Sequence, residues 1–281
     1  MDLFVTDRCN QACVFCYLYS PEFRSKGGAF PMRDVTSALD AGRKRGYEEV
    51  YISGGEPTVC RDFARIVREA RERGYLKVKV MTNGVRFADP EFAGSLADAG
   101  LTHVALSVHG PTPAVYAATH GRGADLGRVV KAVQNLKSLA PGLSLEVNAV
   151  TTAGNVDALP ALGRWVEAMG LERLHVQLLV PNSRASAAHF PGHRRAAEAF
   201  LRLVDAWGRR LRLNCAFFPP CTLPGREDLC VEFDFTTSFF TNRPDMILSW
   251  QRSLLAAKRT VPACEGCPWW RSCRGFWLPE D

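Results

Sequence analysis

The sequence predicts an α/β fold built on a parallel sheet, and three observations carry that expectation. Between Asp2 and Val180, short runs of β-branched or aliphatic residues alternate with amphipathic stretches, repeating about six times, and such alternation builds parallel sheets. The amphipathic stretches repeat apolar residues at helical spacing. The chain has 281 residues, 47% of them hydrophobic, enough for a barrel-sized core with an appendage.

In chain order, strands are expected at 3–6, 49–53, 77–82, 103–108, 143–150 and 174–180. Helices fill the gaps. One presents Phe63, Ile66, Val67 and Ala70, the next Leu126, Val129, Val130, Val133 and Leu136, and a third Leu159, Leu162, Trp165, Val166 and Met169. Each set forms one stripe against a sheet. A further helix carries Phe200, Leu203, Val204, Trp207 and Leu211. Beyond it the alternation stops, and Pro219-Pro220, Pro224-Gly225 and six cysteines follow. A barrel domain is therefore expected over 1–212 and a small cysteine-rich domain over 213–281.

The formal charge of +6 comes from 35 basic and 29 acidic residues. Their signs are interspersed, as in Arg71-Glu72-Arg73, which reads as solvated helix faces. A denser patch of Arg194, Arg195, Arg202, Arg209, Arg210 and Arg212 is either another such face or a contact for a phosphate or acidic peptide. No aromatic-interleaved basic platform accompanies it, which disfavours nucleic acid as a partner. The N-terminal run is too short for a signal sequence and nothing approaches a membrane span, so a cytoplasmic protein is expected. In that setting, ten cysteines, nine of them within residues 9–16 and 215–273, read as metal ligands rather than disulfides.

Cys9, Cys13 and Cys16 form a C-x3-C-x2-C loop directly behind the first strand. Three thiolates on one loop can hold three irons of a cubane and leave the fourth open; a partial zinc site is the other reading. Gly54-Gly55-Glu56-Pro57 follows the second strand. The two motifs in this order, with Phe15 before the third cysteine, resemble the radical S-adenosylmethionine (SAM) superfamily.

That resemblance implies a partial (β/α)6 TIM-like barrel with its site beyond the carboxyl ends of the strands. It implies a [4Fe-4S] cluster on Cys9, Cys13 and Cys16, with SAM on the open iron. Reductive cleavage of SAM would give a 5′-deoxyadenosyl radical that removes a hydrogen atom from a substrate C–H bond. Gly54, Gly55, Glu56 and Pro57 would meet the methionine part, Ser107 and Asn148 its ribose and carboxylate, and the backbone near Leu178 and Val180 its adenine. A flavodoxin or ferredoxin would supply the electron.

Cys60 and His109 lie just past strand ends and are expected to face the substrate cavity. The thiol could donate a hydrogen atom and the imidazole could handle a proton; the plainer readings are a buried thiol and a hydrogen-bonded loop histidine.

Cys215, Cys221, Cys230, Cys264, Cys267 and Cys273 resemble the auxiliary-cluster extension called SPASM, or its shorter form, twitch. Full extensions have another cysteine where this chain has Trp277. Six thiolates can serve one auxiliary [4Fe-4S] cluster with two thiols spare, or two clusters with open sites, and Cys230, Cys264 and Cys267 stand out as ligands. A spare thiol such as Cys221 would suit hydrogen donation in an epimerase. A closed cluster would suit oxidation.

The resemblance points first to maturation of a ribosomally made peptide by crosslinking, oxidation or epimerisation. The alternatives are a sugar or aminocyclitol epimerase or dehydrogenase, and a zinc-stapled scaffold without enzymatic activity. The cluster loop starts so near residue 1 that no separate N-terminal recognition domain is expected, so a peptide would need direct recognition or a partner protein.

Overall fold

The computed structural model describes residues 1–16, 18, 28–181, 184–231, 241–243, 252 and 255–277. Seven strands follow one another in sequence order across one sheet, all parallel. They are β1 (Asp2–Thr6), β2 (Glu49–Gly54), β3 (Lys77–Thr82), β4 (His103–Ser107), β5 (Ser144–Thr151), β6 (Arg173–Leu178) and β7 (Arg212–Ala216). The helices between them are α1 (Met32–Lys44), α2 (Phe63–Glu72), α3 (Pro90–Asp98), α4 (Pro113–His120), α5 (Leu126–Leu139), α6 (Leu159–Ala168), α7 (Arg184–Ala187) and α8 (His193–Trp207). A sequential parallel order with right-handed crossovers places every helix on one face, the arrangement of a partial TIM-like barrel.

The expected six strands become seven. β7 reads Arg-Leu-Asn-Cys-Ala, and only Leu213 and Cys215 are buried against the helices among its first four residues. That alternation is too short to stand out from the cysteine-rich region it opens. Cys215 therefore belongs to the sheet.

Every strand alternates, because successive side chains point to opposite faces. Leu3 and Val5, Val50 and Ile52, Val78 and Val80, Val104 and Leu106, Val147 and Ala149, and Leu174 and Val176 form one continuous core with the helices. α2 contributes Phe63, Ile66, Val67 and Ala70. Asp89, Thr112 and Asp125 cap α3, α4 and α5 by accepting from Glu91, Val115 and Arg128 backbone N–H groups, which satisfies donors a helix start leaves open.

The opposite, inner face of the sheet carries mainly polar side chains. Its amino end is set by Glu49, which pairs with both Lys77 and Lys79. Hydrogen bonds from those ammonium groups hold the Glu49 carboxyl down at about 2. A carboxyl depressed in the fold stabilises above its unfolded value, near 4.5, and loses that contribution as pH falls towards 2. The pair is solvent-accessible, so Glu49→Gln should cost less than about 1 kcal/mol at pH 7. The difference in melting temperature between the two proteins should vanish by pH 2 to 3; a gap that widens on acidification would contradict this.

Half of the arginine patch is ion-paired surface. Arg195 and Arg202 meet Asp157, and Arg210 meets Glu167. No helix among the described residues is long and apolar enough to cross a membrane.

Past β7, the chain returns along that strand's free edge, where Cys215 and Cys230 are bridge partners and Val231 N–H donates to Cys215 O at 2.7 Å. Arg259 and Phe276 pair back to back and close a loop that contains Cys264, Cys267 and Cys273. Trp277, at the position of the extension's missing cysteine, is fully buried. Its backbone N–H donates to His193 Nε2 at 3.0 Å and its indole to Phe217 O at 2.9 Å, so an aromatic anchor docks the cap on α8. The Lys258 ammonium lies 3.7 Å from the indole centroid. Burial lowers its pKa to about 8.

Candidate cofactor site

The cluster loop follows β1 and is clamped from both sides. On one side, Gly55 N–H donates to Thr6 O at 2.7 Å and Glu56 N–H to Arg8 O at 2.8 Å. Side chains there would collide with the loop, because a Cβ on Gly54 would lie 2.3 Å from Thr6 O and one on Gly55 2.2 Å from Arg8 O. Gly54 also has φ +132°, a conformation that favours glycine. The glycine pair thus brings β2 against the cluster loop itself.

On the other side, Ala12 N–H donates to His120 O and Arg122 O, and Val14 N–H to Thr119 O at 3.1 Å. A Cβ on Gly121 would lie 2.3 Å from Ala12 O. Gln11 completes the clamp. Its carbonyl accepts from His120 Nδ1 at 2.8 Å, while its amide donates to Tyr116 and to Gly123 O.

Glu56 is 1% exposed, and its carboxylate faces inward. Thr58 N–H, Thr58 Oγ1 and Thr82 Oγ1 donate to Oε1 at 3.0, 2.6 and 2.7 Å, and Asn83 N–H donates to Oε2 at 2.6 Å. Burial raises this carboxyl's pKa on balance, against the pull of the four hydrogen bonds; four donors aimed at two oxygens favour the ionised form against that shift. The side chain expected at the methionine group is spent inside the protein, which leaves the backbone of this segment for a ligand. Asn83 carries the network on to the cluster loop, donating from Nδ2 to Asn10 Oδ1 at 2.7 Å.

His109 departs from its expected place. It is 3% exposed, packed between Phe15 at 4.7 Å and His120 at 4.4 Å, with Nδ1 accepting from Val150 N–H at 3.0 Å. Burial depresses its pKa to about 3. It packs behind Phe15 as the hydrogen-bonded loop histidine of the plainer reading. Cys60 is likewise inside, 6% exposed within the apolar core, because its turn folds back over α2. Neither side chain faces a substrate.

Ser107 and Asn148 sit side by side as register partners on β4 and β5, on the inner face. Asn148 is buried and its Oδ1 has no hydrogen-bond partner. An orphaned buried acceptor costs free energy unless a ligand meets it. Leu178 ends β6, its side chain in the core and its backbone at the strand end, and Val180 follows half-buried outside the strand.

Two of the three loop thiols, Cys9 and Cys13, respond to the others. Burial pushes Cys9 up to about 11 and raises Cys13 and Cys16; Cys13 also feels Cys16 and Cys9, and Cys9 feels Glu56. Thiols gathered near a carboxylate ionise only against a compensating cation, which bound metal provides. Among the described residues, no three such side chains close around a single point as one-ion sites do. The donor set, the close glycine approach and the open Asn148 acceptor fit an iron–sulfur cluster carrying a polar organic ligand.

The cap thiols divide in two. Cys221 and Cys273 each feel Cys264 and Cys267 electrostatically. Cys215 and Cys230 stand apart as a pair with sulfurs 3.7 Å apart. Strand pairing at β7 places Cys230 beside Cys215. An open cavity of about 700 Å³ adjoins Cys264, Cys267 and Trp270.

A half-barrel with a three-thiol loop at the carboxyl end of its first strand defines a class of iron–sulfur enzymes. The model of the radical SAM superfamily matches residues 3–157, more than half of the chain, and the chain belongs to that superfamily. The superfamily's cofactor is a [4Fe-4S] cluster that binds SAM.

A probable GTP 3′,8-cyclase of Methanopyrus kandleri is 34% identical over 211 residues, 72% of this chain and 62% of that protein. The mycofactocin maturase MftC of Mycobacterium ulcerans is 31% identical over 216 residues, 76% of this chain and 57% of that protein. The chain thus matches less than two thirds of the length of these curated relatives. Streptococcus suis SuiB bound to SAM superposes with a TM-score of 0.71 at 16% identity, covering 98% of this chain and 72% of that one. AnSMEcpe with bound SAM gives 0.71 at 17% identity, covering 98% and 88%. At such identities the likeness describes the fold.

Proposed function

We propose that this protein matures a ribosomally made peptide, with Cys9, Cys13 and Cys16 holding the SAM-binding cluster and Cys221, Cys264, Cys267 and Cys273 holding one auxiliary [4Fe-4S] cluster in a domain that begins after β7. When bound, the cluster and SAM supply a one-electron cleavage that leads to hydrogen-atom removal from a C–H bond. The chain's own residues position and shield that chemistry. The backbone at 54–57 and near Leu178–Val180, with Ser107 and Asn148, orients the cofactor across the strand ends, and the cap limits access of water.

The observation that carries the peptide reading is the fold likeness extending over 98% of the chain, cap included, to SuiB, a protein also known in complex with the precursor peptide SuiA. The similarity to MftC supports it. A small polar substrate is the second reading, favoured by the sequence similarity to the probable GTP 3′,8-cyclase. In either case a flavodoxin or ferredoxin serves as electron donor.

The test is incubation of the reconstituted protein with SAM, a reductant and the short peptides encoded beside its gene, followed by mass spectrometry. A mass change of one or more hydrogens, or epimerisation seen by deuterium uptake, supports the peptide reading; SAM cleavage with no peptide altered would favour the small-molecule one.

The cap assignment makes a separate prediction. Anaerobically reconstituted protein should hold about 8 irons, at 4 per cubane. Replacing the quartet by alanine should remove about 4 of them, whereas replacing Cys215 and Cys230 should remove none. Iron loss on removing the pair would mean that the six thiols serve two clusters.

A further inference from the structure

Ser107 and Asn148 are not alone in their row. The register continues from Asn148 to His175 on β6 and from His175 to Asn214 on β7. Neighbouring strands lie about 4.8 Å apart, so four polar side chains stand in line across the inner face. The first two adjoin the cofactor strands; the last two continue the row away from them.

His175 and Asn214 are already engaged with each other. The ring Nδ1 donates to Asn214 Oδ1 at 2.5 Å, which fixes the ring plane and leaves the opposite nitrogen, Nε2, as an acceptor. Among the described residues Nε2 has no hydrogen-bond partner. Leu174 and Val176 on either side face the core, so the imidazole lies on the inner face, half-buried. Burial keeps it neutral, against the opposing pull of Asn214 and Glu146. Next to it is the unpartnered Oδ1 of Asn148.

We propose that His175, its ring held by Asn214, accepts a hydrogen bond from an O–H or N–H group of the substrate, beside the cofactor-binding end of the same row. The inference rests on the reading of the inner face as the reaction chamber and names what it selects. A neutral acceptor favours a hydroxyl or amide N–H donor and disfavours a carboxylate or phosphate at that point. In a peptide, this is a backbone amide or a serine or threonine hydroxyl near the carbon that loses its hydrogen.

Two measurements test it. In holoprotein labelled with 15N-histidine, long-range 1H–15N spectra at neutral pH should show His175 as the Nδ1–H tautomer, assigned by its loss in His175→Gln. Asn214→Ala should shift the ring towards the Nε2–H tautomer. An Nε2–H ring or an imidazolium in the parent protein overturns the proposal whatever the substrate proves to be. The second measurement is turnover of the peptide that the parent enzyme modifies. His175→Phe should lower kcat/KM about 100-fold and Asn214→Ala about 10-fold, mainly through KM, as expected for a lost and a misdirected buried hydrogen bond. Parent-like kcat/KM in both variants overturns the proposal. Failure of the parent to modify any peptide counts against the peptide reading alone, and the spectra still decide for His175.

Discussion

Replacing Cys9, Cys13 and Cys16 together by alanine is expected to abolish SAM cleavage and remove about 4 irons per chain, while the fold stays intact. The loop is held mainly by its backbone and the Gln11 side chain, with only long contacts from Gln11 N–H to Cys9 Sγ and between Cys13 Sγ and His120. Ala12 and Val14 are bonded to the end of α4, Gln11 is locked to His120 and Tyr116, and Gly55 and Glu56 bond to Thr6 and Arg8. Alanine keeps these backbone and Gln11 contacts. The metal-free variant should therefore melt within a few degrees of the metal-free parent, and loss of activity cannot be put down to unfolding. Retention of all the iron by the triple variant would remove this loop from cluster binding. Equal iron loss accompanied by collapse of the circular dichroism would show that metal, rather than the clamp, orders the loop.

Removing the Glu56 carboxylate should be the most damaging single change to the scaffold of the site. Glu56→Ala strands four donors, two of them backbone N–H groups, in a fully buried position. Each unsatisfied buried donor costs about 1–3 kcal/mol, partly offset by water entering the space left, so a total of roughly 3–5 kcal/mol is expected. For a chain of this size that lowers the melting temperature by about 10 °C. Glu56→Gln separates the two oxygens. Three donors meet Oε1, which a glutamine oxygen can replace, whereas Asn83 N–H alone meets Oε2, where the glutamine NH2 would oppose it. Glutamine should cost less stability than alanine but loosen Asn83 and, through Asn10, the cluster loop. Its signature is near-parent melting with weakened SAM binding by calorimetry. Equal stability of all three proteins would show that the four hydrogen bonds contribute nothing.

Much of this was legible in the amino-acid order. The first six strands lie within one or two residues of where alternation places them, because each has a β-branched or aliphatic face that only a helix-covered sheet can bury. The helical stripes at Phe63, Ile66, Val67 and Ala70 are the buried faces seen. The three-thiol loop and the Gly54–Pro57 segment are local motifs whose spacing alone proclaims them. Other features depend on contacts between distant segments. β7 was missed because its Arg-Leu-Asn-Cys-Ala run has no β-branched residue and opens the cysteine-rich segment. His109 and Cys60 follow strand ends, as cavity residues do, yet the packing of Phe15, His120 and α2 turns them inward. His175 and Asn214 carry no motif, and only the β6–β7 register makes them neighbours of Asn148.

By itself the sequence determined the parallel α/β architecture, the superfamily chemistry and the thiols available to it, since periodicity and close-range spacing are properties of the chain. The tertiary structure decided what each group can reach. It spends the Glu56 carboxylate on internal donors, clamps the cluster loop between Gly55 and α4, brings Cys215 and Cys230 together, and lines up Ser107, Asn148, His175 and Asn214. Those outcomes come from strand register, burial and the requirement that buried polar groups find partners, which no stretch of sequence states on its own.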